Sequence, residues 1–369
     1  MSESDTEDDC SNLKDGTLVN LKELINSKSI KPGDKCAIFT HSTPDPDAIG
    51  SMMGISWFLS KMFNIDCYCF YGGCVSHPQN IAMVNLLDPN LKHVDEYDGN
   101  VNYKFFVAVD CLLSNVCLPK NNSIDFDLII DHHKNSPSNS YNGIFYNIKA
   151  GSCCSTVYNL IKIANLEFED EVDRDCKIAT AMMVGITTDT ENMLSDDATE
   201  YEFVAYSDLF KYRDSTALKQ IVNYKRPKSW VDAKAAASSK AILTDDGIAI
   251  VGVGFLNLKQ RDLIADVADE LMTWANVETS VAFAVIDGNK IEGSVRSNNA
   301  SIAIPSLCKE LGLGNSVNGG GGGKLGKGGY NYSLGGIEVD EDSSEDTRSK
   351  MWDFIQNYEV DRVVNIFKK

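Results

Sequence analysis

The sequence predicts an α/β protein: a doubly wound, mainly parallel sheet followed by a smaller C-terminal α/β domain. Three observations carry this. The runs 35–41, 104–110 and 127–131 are nearly continuously apolar and end in His or Asp, the pattern of strands buried on both faces. Segments with helical spacing, 48–62, 152–164 and 172–187, fall between and after them. A second alternation of strands and helices starts near residue 248 and contains a hairpin turn, Asp287-Gly288. In a doubly wound sheet the binding crevice lies outside the carboxyl ends of the strands. The active site is therefore expected at those ends, in the cleft between the two domains.

In chain order, residues 1–20 read as an acidic disordered tail. The first domain is expected over 21–213. It opens with a short helix, 21–29, and a Pro-Gly-Asp turn that leads into strand 35–41. Helix 48–62 and strand 67–71 follow, then strands 104–110 and 127–131, then helices 152–164 and 172–187. Residues 214–240 read as a helical linker, rich in Ala, Ser and Lys over 233–240. The second domain is expected over 241–340, with strands 248–253, 280–286 and 290–296, helices 264–274 and 302–311, and a glycine run at 319–323. Residues 341–369 read as an acidic loop and a C-terminal helix.

Composition excludes several classes. The 369 residues hold 53 acids and 34 bases, for a net charge of −19. Residues 1–10 carry five acids and no base, and 338–346 carry six more, so the charge without these runs is −8. Such runs read as solvated tails or loops. A protein that coats nucleic acid with a basic surface is excluded at this charge. A small anionic ligand is not, because local charge can oppose the total. Hydrophobic residues make up 43% of the chain, which excludes global disorder. No run approaches the roughly 18–20 apolar residues of a membrane span. The acidic N-terminus lacks the basic start of a secretory leader, so a cytoplasmic location is expected. The eleven cysteines, Cys67, Cys69, Cys153 and Cys154 among them, form no pair of C-x-x-C motifs and are expected to be reduced thiols.

Four segments carry chemistry. His41-Ser-Thr-Pro-Asp45-Pro-Asp47-Ala-Ile-Gly50-Ser51 stands where a buried strand meets a helix. One His and two Asp there can face a single crevice, and carboxylate oxygens with imidazole nitrogen are ligands for Mn²⁺, Mg²⁺, Fe²⁺ or Zn²⁺. The local alternative is an Asx-rich turn with Asp47 capping the helix. Asp110 closes an otherwise apolar strand. Asp131-His132-His133 follows another. Gly185-Ile-Thr-Thr-Asp189-Thr190 closes an apolar helix-like segment. Any one acid in such a place reads as a cap or turn residue. Three of the five histidines beside acids at strand ends read as one metal site.

With these four motifs, HSTPDPDAIGS, VAVD, DHH and GITTDT in that order, the sequence resembles the DHH phosphoesterase superfamily. Gly293-Ser-Val-Arg296-Ser-Asn298 and the run 319–323 are similar to the substrate-binding motifs of the first type of DHH-associated domain. The resemblance covers roughly residues 20–340 and points to the short two-domain branch of nanoRNases (oligoribonucleases), pAp phosphatases and cyclic-dinucleotide phosphodiesterases. It implies two divalent ions, Mn²⁺ first and Mg²⁺, Co²⁺ or Fe²⁺ as alternatives. One ion would be held by His41, Asp45 and Asp110, the other by Asp47, Asp110, His132 and Asp189, with Asp110 as the bridge. Asp131 would orient His132. His133 would bond a phosphate oxygen or assist the leaving group. Arg296, Ser297, Asn298, Gly321, Gly322, Gly323 and Lys324 would bind the rest of the substrate. Arg296 would do so through a bidentate fork, the glycines through exposed backbone amides. Taken alone, the glycine run also reads as a flexible loop and Arg296 as a paired surface residue.

The expected activity is hydrolysis of short oligonucleotides or linear dinucleotides to nucleoside monophosphates, with pAp and cyclic dinucleotides as further candidates. No long nucleic-acid track and no membrane partner are expected; relatives are often homodimers. A longer-strand exonuclease, which would carry a basic groove, and a non-catalytic protein that sequesters a nucleotide signal are the competing readings. The chain departs from the superfamily pattern at Lys324, where His is usual, at Lys327, at Pro46, and at Glu191-Asn192. GGGGGKLG is not a Walker A loop: Leu325 stands where Ser or Thr is required. Ser152, Ser155 and Thr156 offer either a phosphate site or a helix cap. His77 and His93 read as surface residues. The methionines of 180–184 and both Trp57 and Trp274 read as packing residues.

Overall fold

The computed structural model describes residues 7–120, 122–133, 141–313, 319–339 and 343–368. They divide into two units. The first runs to Tyr224, except that Ser76–Pro78 group with the second, which continues from Lys225.

In the first unit the elements are α1 (Glu7–Ser27), β1 (Lys35–Phe39), α2 (Pro46–Phe63), β2 (Asp66–Tyr71), α3 (Pro78–Leu87), β3 (Leu91–His93), β4 (Tyr103–Val109), β5 (Leu128–Ile130), β6 (Ile144–Tyr146), α4 (Cys153–Ile163), α5 (Asp173–Asp189), α6 (Glu200–Leu209) and α7 (Ser215–Val222). The six strands are all parallel, in the order β3-β2-β1-β4-β5-β6. Strand order therefore reverses between β1 and β4, the switch point where ligands bind in sheets of this type. Alternate strand residues serve two cores. Cys36, Ile38, Phe105, Val107, Leu128 and Ile130 pack against the helices. Ala37, Phe39, Phe70, Ala108 and Ile129 face an aromatic layer filled by loop residues such as Cys111 and Phe126. The helices of this unit pack on one face of the sheet, and described loop residues and aromatic rings cover the other. Trp57 is buried, stacks on Phe168 at 4.2 Å and donates to Asp175 at 2.8 Å, while Met182 and Met183 lie in the core.

The second unit contains α8 (Lys228–Ser238), β7 (Ile242–Leu243), β8 (Ile248–Leu256), α9 (Leu263–Leu271), β9 (Thr279–Ile286), β10 (Lys290–Ser297), α10 (Ile304–Leu311), β11 (Gly319–Lys324), β12 (Lys327–Ser333) and α11 (Glu345–Phe367). Its mixed sheet has the order β11-β12-β10-β9-β8-β7; only β8 and β9 pair in parallel. α8 and α9 cover one face and α10 and α11 the other. Trp274 packs against the α8–α9 side.

Several boundaries differ from the sequence reading. α1 begins at Glu7, inside the expected tail. The segment 214–240 is two helices, α7 in the first unit and α8 in the second. α11 buries Ile355 and Val363 in the second core instead of standing apart. Of the C-terminal acidic run, Asp340, Glu341 and Asp342 lie outside the described residues. Glu345 and Asp346 open α11 behind the Ser344 cap, where acids complement the helix dipole. The glycine run is an edge strand, β11, rather than a loop. Its glycines have different causes on its two faces. A Cβ at Gly321 would overlap the Cys308 carbonyl of α10, whereas Gly320 and Gly322 have no neighbour within 4 Å.

Candidate active site

The carboxyl end of β1 supplies the first group. The His41 Nδ1 accepts the Thr43 amide at 3.3 Å, and its Nε2 lies 3.7 Å from Asp110 Oδ2. Asp45 has extended backbone angles and caps α2, accepting from the Ala48 amide at 2.9 Å, with Pro46 beginning the helix. The cap is thus Asp45, not Asp47 as the local alternative had it. Asp47 is buried and turned the other way: its two oxygens accept the Cys153 and Cys154 amides at 2.6 and 2.8 Å, at the start of α4. α5 can approach because residue 185 is glycine; a Cβ there would lie 2.9 Å from Asp47 Cα.

Asp110 ends β4 in a left-handed conformation, φ 53°, with its amide donating to the Ile130 carbonyl at 2.9 Å. A non-glycine residue held there costs of order 1–3 kcal/mol, which recurs at functional sites. Its Oδ1 is 3.4 Å from His132 Nε2, and that nitrogen is 3.3 Å from Asp189 Oδ2 at the end of α5.

The arrangement of Asp131 differs from the expectation. Its Oδ1 accepts the backbone amides of His132 (2.8 Å) and His133 (3.3 Å) and bonds the His133 ring Nδ1 at 2.7 Å. It therefore orients the His133 ring, and reaches His132 only through the backbone. The peptide turn after β5 forces this: with both following amides folded back onto Oδ1, the nearer ring is that of His133.

Three groups of potential ligands result: His41, Asp45 and Asp110; Asp47, His132 and Asp189; and Asp110, Asp131, His132 and His133. Within each, the donor atoms lie within 4.8 Å of one another. The residues fit hard divalent cations in donor type and in charge. Asp131 Oδ2 is buried with no hydrogen-bond partner among the described residues. Electrostatics agree. Burial and the neighbouring Asp110 raise the Asp45 carboxyl to about 6. Burial, Asp110 and Asp189 push Asp47 up as well, against the pull of His132. Burial also opposes the Asp110 carboxylate, yet His132 and His41 hold it below the usual carboxylate range. The imidazolium of His132 overcomes burial through Asp110 and rises to about 10; His41 shifts the same way. His133, half-exposed, is raised mainly by Asp131.

A cavity of about 430 Å³ opens over this cluster, lined by His41, Asp45, Asp110, His132, His133 and Asp189. Its remaining lining residues are Ser42 and Thr43, inside the first motif but given no role there, and Cys111, Leu112 and Asn115, whose only sequence signal is that they follow the second.

The other candidates fare differently. The Ser152, Ser155 and Thr156 segment is buried; Ser152 caps α4 and Asp47 already takes its first amides, which closes it to phosphate. Arg296 is held by Asp269 (Nε to Oδ1, 2.6 Å) and donates to Ser294 Oγ at 2.7 Å and the Val295 carbonyl at 3.1 Å, so most of its fork is committed. Ser297 is buried and bonds Thr279 Oγ1 at 2.8 Å; Asn298 is exposed. Gly321, Gly322, Gly323 and Lys324 lie on β11, with Lys324 opposite Lys327 of β12. His77 and His93 are half-buried rather than on the surface; His93 caps a short helical turn.

Residues 35–186 match the model of the DHH family, N-terminal domain. The chain is 28% identical over 277 residues to an uncharacterized protein of Methanocaldococcus jannaschii, a match that spans 74% of this chain and 54% of that protein. It is 25% identical over 178 residues to a probable manganese-dependent inorganic pyrophosphatase of Lactiplantibacillus plantarum, across 48% of this chain and 55% of that one. The chain thus spans about half the length of these curated relatives. In fold it is similar to an exopolyphosphatase-related protein of Bacteroides fragilis, with a TM-score of 0.64 at 15% identity over 94% of this chain and 97% of that one. The chain thus carries a DHH family N-terminal domain over residues 35–186, which hold the parallel sheet and the first three motifs, while Asp189 of the fourth lies just beyond.

Proposed function

We propose that this protein is a metal-dependent phosphodiesterase that hydrolyses short oligonucleotides or linear dinucleotides to nucleoside monophosphates. The observation that carries the reading is the position of Asp110 between two ligand groups: it belongs to one with His41 and Asp45, and it lies 3.4 Å from His132 of the other. His41, Asp45 and Asp110 would hold one ion; Asp47, Asp110, His132 and Asp189 would hold a second. Manganese is favoured by the likeness to a manganese-dependent enzyme. Bound there, two such ions would acidify a water and offset the charge that develops on the phosphate.

The protein's own groups do the rest. Asp47 is held by two amides beneath the cavity lining, which fixes its carboxylate beside His132 and Asp189. His133 is held at Nδ1 by Asp131, so its Nε2 is the atom that can donate to a phosphoryl oxygen or to the departing oxygen. Among the described residues no Lys or Arg lines the cavity, so there the charge on a bound phosphate would fall to the metals and histidines. A singly charged diester makes a smaller demand of that kind than pyrophosphate does.

The test is incubation of the full chain with Mn²⁺ and pApA, di- to pentanucleotides, pAp, cyclic dinucleotides, tripolyphosphate and pyrophosphate. Release of mononucleotides from the short linear substrates supports the reading. Stoichiometric binding without turnover replaces it with sequestration, and hydrolysis confined to pyrophosphate or tripolyphosphate replaces it with an inorganic phosphatase.

A further inference from the structure

At Asp110 the backbone turns sharply, and residues 111–117 then run along the rim of the cavity. Both ends of this rim are tied down. The Asp110 amide donates to the Ile130 carbonyl at 2.9 Å, and the Cys117 amide donates to the Thr40 carbonyl at 3.0 Å. Cys117 Sγ occupies the space that Gly72 leaves open; a Cβ at Gly72 would overlap it. Between these ties, a turn closed by the Asn115 amide on the Leu112 carbonyl (2.8 Å) brings Leu112 and Asn115 to the cavity wall, while Leu113 is exposed. The rim is therefore a fixed surface.

Neither side chain suits a hard cation. Leu112 has no lone pair, and the Asn115 carbonyl oxygen already accepts from Ser114 Oγ at 3.1 Å, which leaves its Nδ2 to donate. The rim thus presents one apolar group and one amide donor beside the metal-ligand cluster. The cavity, about 430 Å³, falls within the roughly 300–1,000 Å³ of sites for small organic molecules. An inorganic phosphate chain has nothing apolar to bury against leucine.

We infer that Leu112 and Asn115 contact the organic group esterified to the scissile phosphate, and so select a nucleoside phosphoester over pyrophosphate or polyphosphate. Leu112 packs against ribose or base, and Asn115 Nδ2 donates to a hydroxyl or carbonyl of the same group. This rests on the phosphodiesterase reading and adds to it the residues that choose the substrate.

Calorimetric titration of the Mn²⁺-loaded full chain with AMP and, separately, with inorganic phosphate tests it. The wild type is expected to bind AMP at least about tenfold more tightly than phosphate. Asn115→Ala, an exposed position where folding is not at risk, and Leu112→Ala should each weaken AMP about fivefold to tenfold and leave phosphate within about twofold. Equal affinity for AMP and phosphate in the wild type, binding of neither, unchanged AMP affinity in Asn115→Ala, or parallel loss of both ligands would overturn the assignment. Failure of the phosphodiesterase reading shows elsewhere, as absence of AMP release from pApA by the wild type.

Discussion

The carboxylate of Asp47 grips the α4 helix at Cys154: one oxygen accepts the Cys154 amide at 2.8 Å while the other accepts its neighbour Cys153 at 2.6 Å. A buried acid thereby joins the β1 motif to the helix that follows β6. The helix N-terminus offers the amides and partial positive charge that make this favourable. The same acid faces His132 and Asp189.

Asp47→Ala is accordingly expected to damage both fold and metal binding. It leaves two buried amides without acceptors, which costs about 1–3 kcal/mol. A lower thermal midpoint in the metal-free protein, together with weaker Mn²⁺ binding, is the expected pair of results.

Asp110→Asn isolates the chemistry from the fold. Asparagine tolerates the left-handed backbone better than other replacements, so the strand end is retained. Turnover should fall by at least about a thousandfold, on the order of the loss of a main electrostatic element. Circular dichroism should be unchanged, and near-wild-type turnover would remove Asp110 from the bridging position.

Mn²⁺ affinity should rise with pH, because ligands must lose their protons to bind. Asp45, raised to about 6, is protonated below that value, so each pH unit lower should weaken binding up to about tenfold. His132, near 10, still holds its proton at neutral pH. Binding must displace it, so the calorimetric enthalpy at pH 7.5 should differ between Tris and phosphate-free HEPES in proportion to buffer ionisation heat. The sign for stability is opposite. The raised His132 contributes to the metal-free fold fully below about 6.5 and loses that contribution as pH rises through about 10.

Asp131→Asn should weaken the hold on the His133 ring, because a neutral amide oxygen replaces the charged acceptor, while sparing the ions' principal ligands. The expected result is a fall in kcat of about 10²–10⁴, as for loss of a positioned acid–base group. Mn²⁺ affinity should change little; a loss as large as in Asp47→Ala would make Asp131 a ligand.

The two faces of β11 give a paired test of why the glycines are there. Gly321→Ala should destabilise by about 1–3 kcal/mol, because its Cβ meets the Cys308 carbonyl. Gly322→Ala opens onto free space, so the thermal midpoint should hold or rise slightly. If Gly322→Ala also raises KM for dinucleotides, the open face of β11 touches substrate.

Much of this molecule is legible in the sequence. The apolar runs ending at His41, Asp110 and Asp131 report strands buried on both faces, and their polar ends report the crevice. The motif order was enough to bring His41, Asp45, Asp110, His132 and Asp189 into one expected site, and the fold places all five on the cavity wall. These features are local: periodicity and strand termination depend on a few neighbouring residues. The short strands β3, β6 and β7 gave no such signal: two or three residues carry no periodicity, and unlike the equally short β5 they do not end at an acid beside histidines.

What the tertiary structure alone decided is which partner each polar group takes. Asp47 meets α4 only after the chain has wound through five more strands. Asp131 turns to His133 because a tight turn folds the following amides back onto it. Arg296 meets Asp269 because α9 packs over β10, so a fork that composition offers to phosphate is held within the fold. The glycines of β11 separate into packed and open positions only when α10 lies against one face. Sequence patterns report how an element buries itself. Hydrogen bonds and ion pairs between residues on different elements, 27 positions apart for Arg296 and Asp269 and 106 for Asp47 and Cys153, depend on where those elements come to rest, and only the folded chain specifies that.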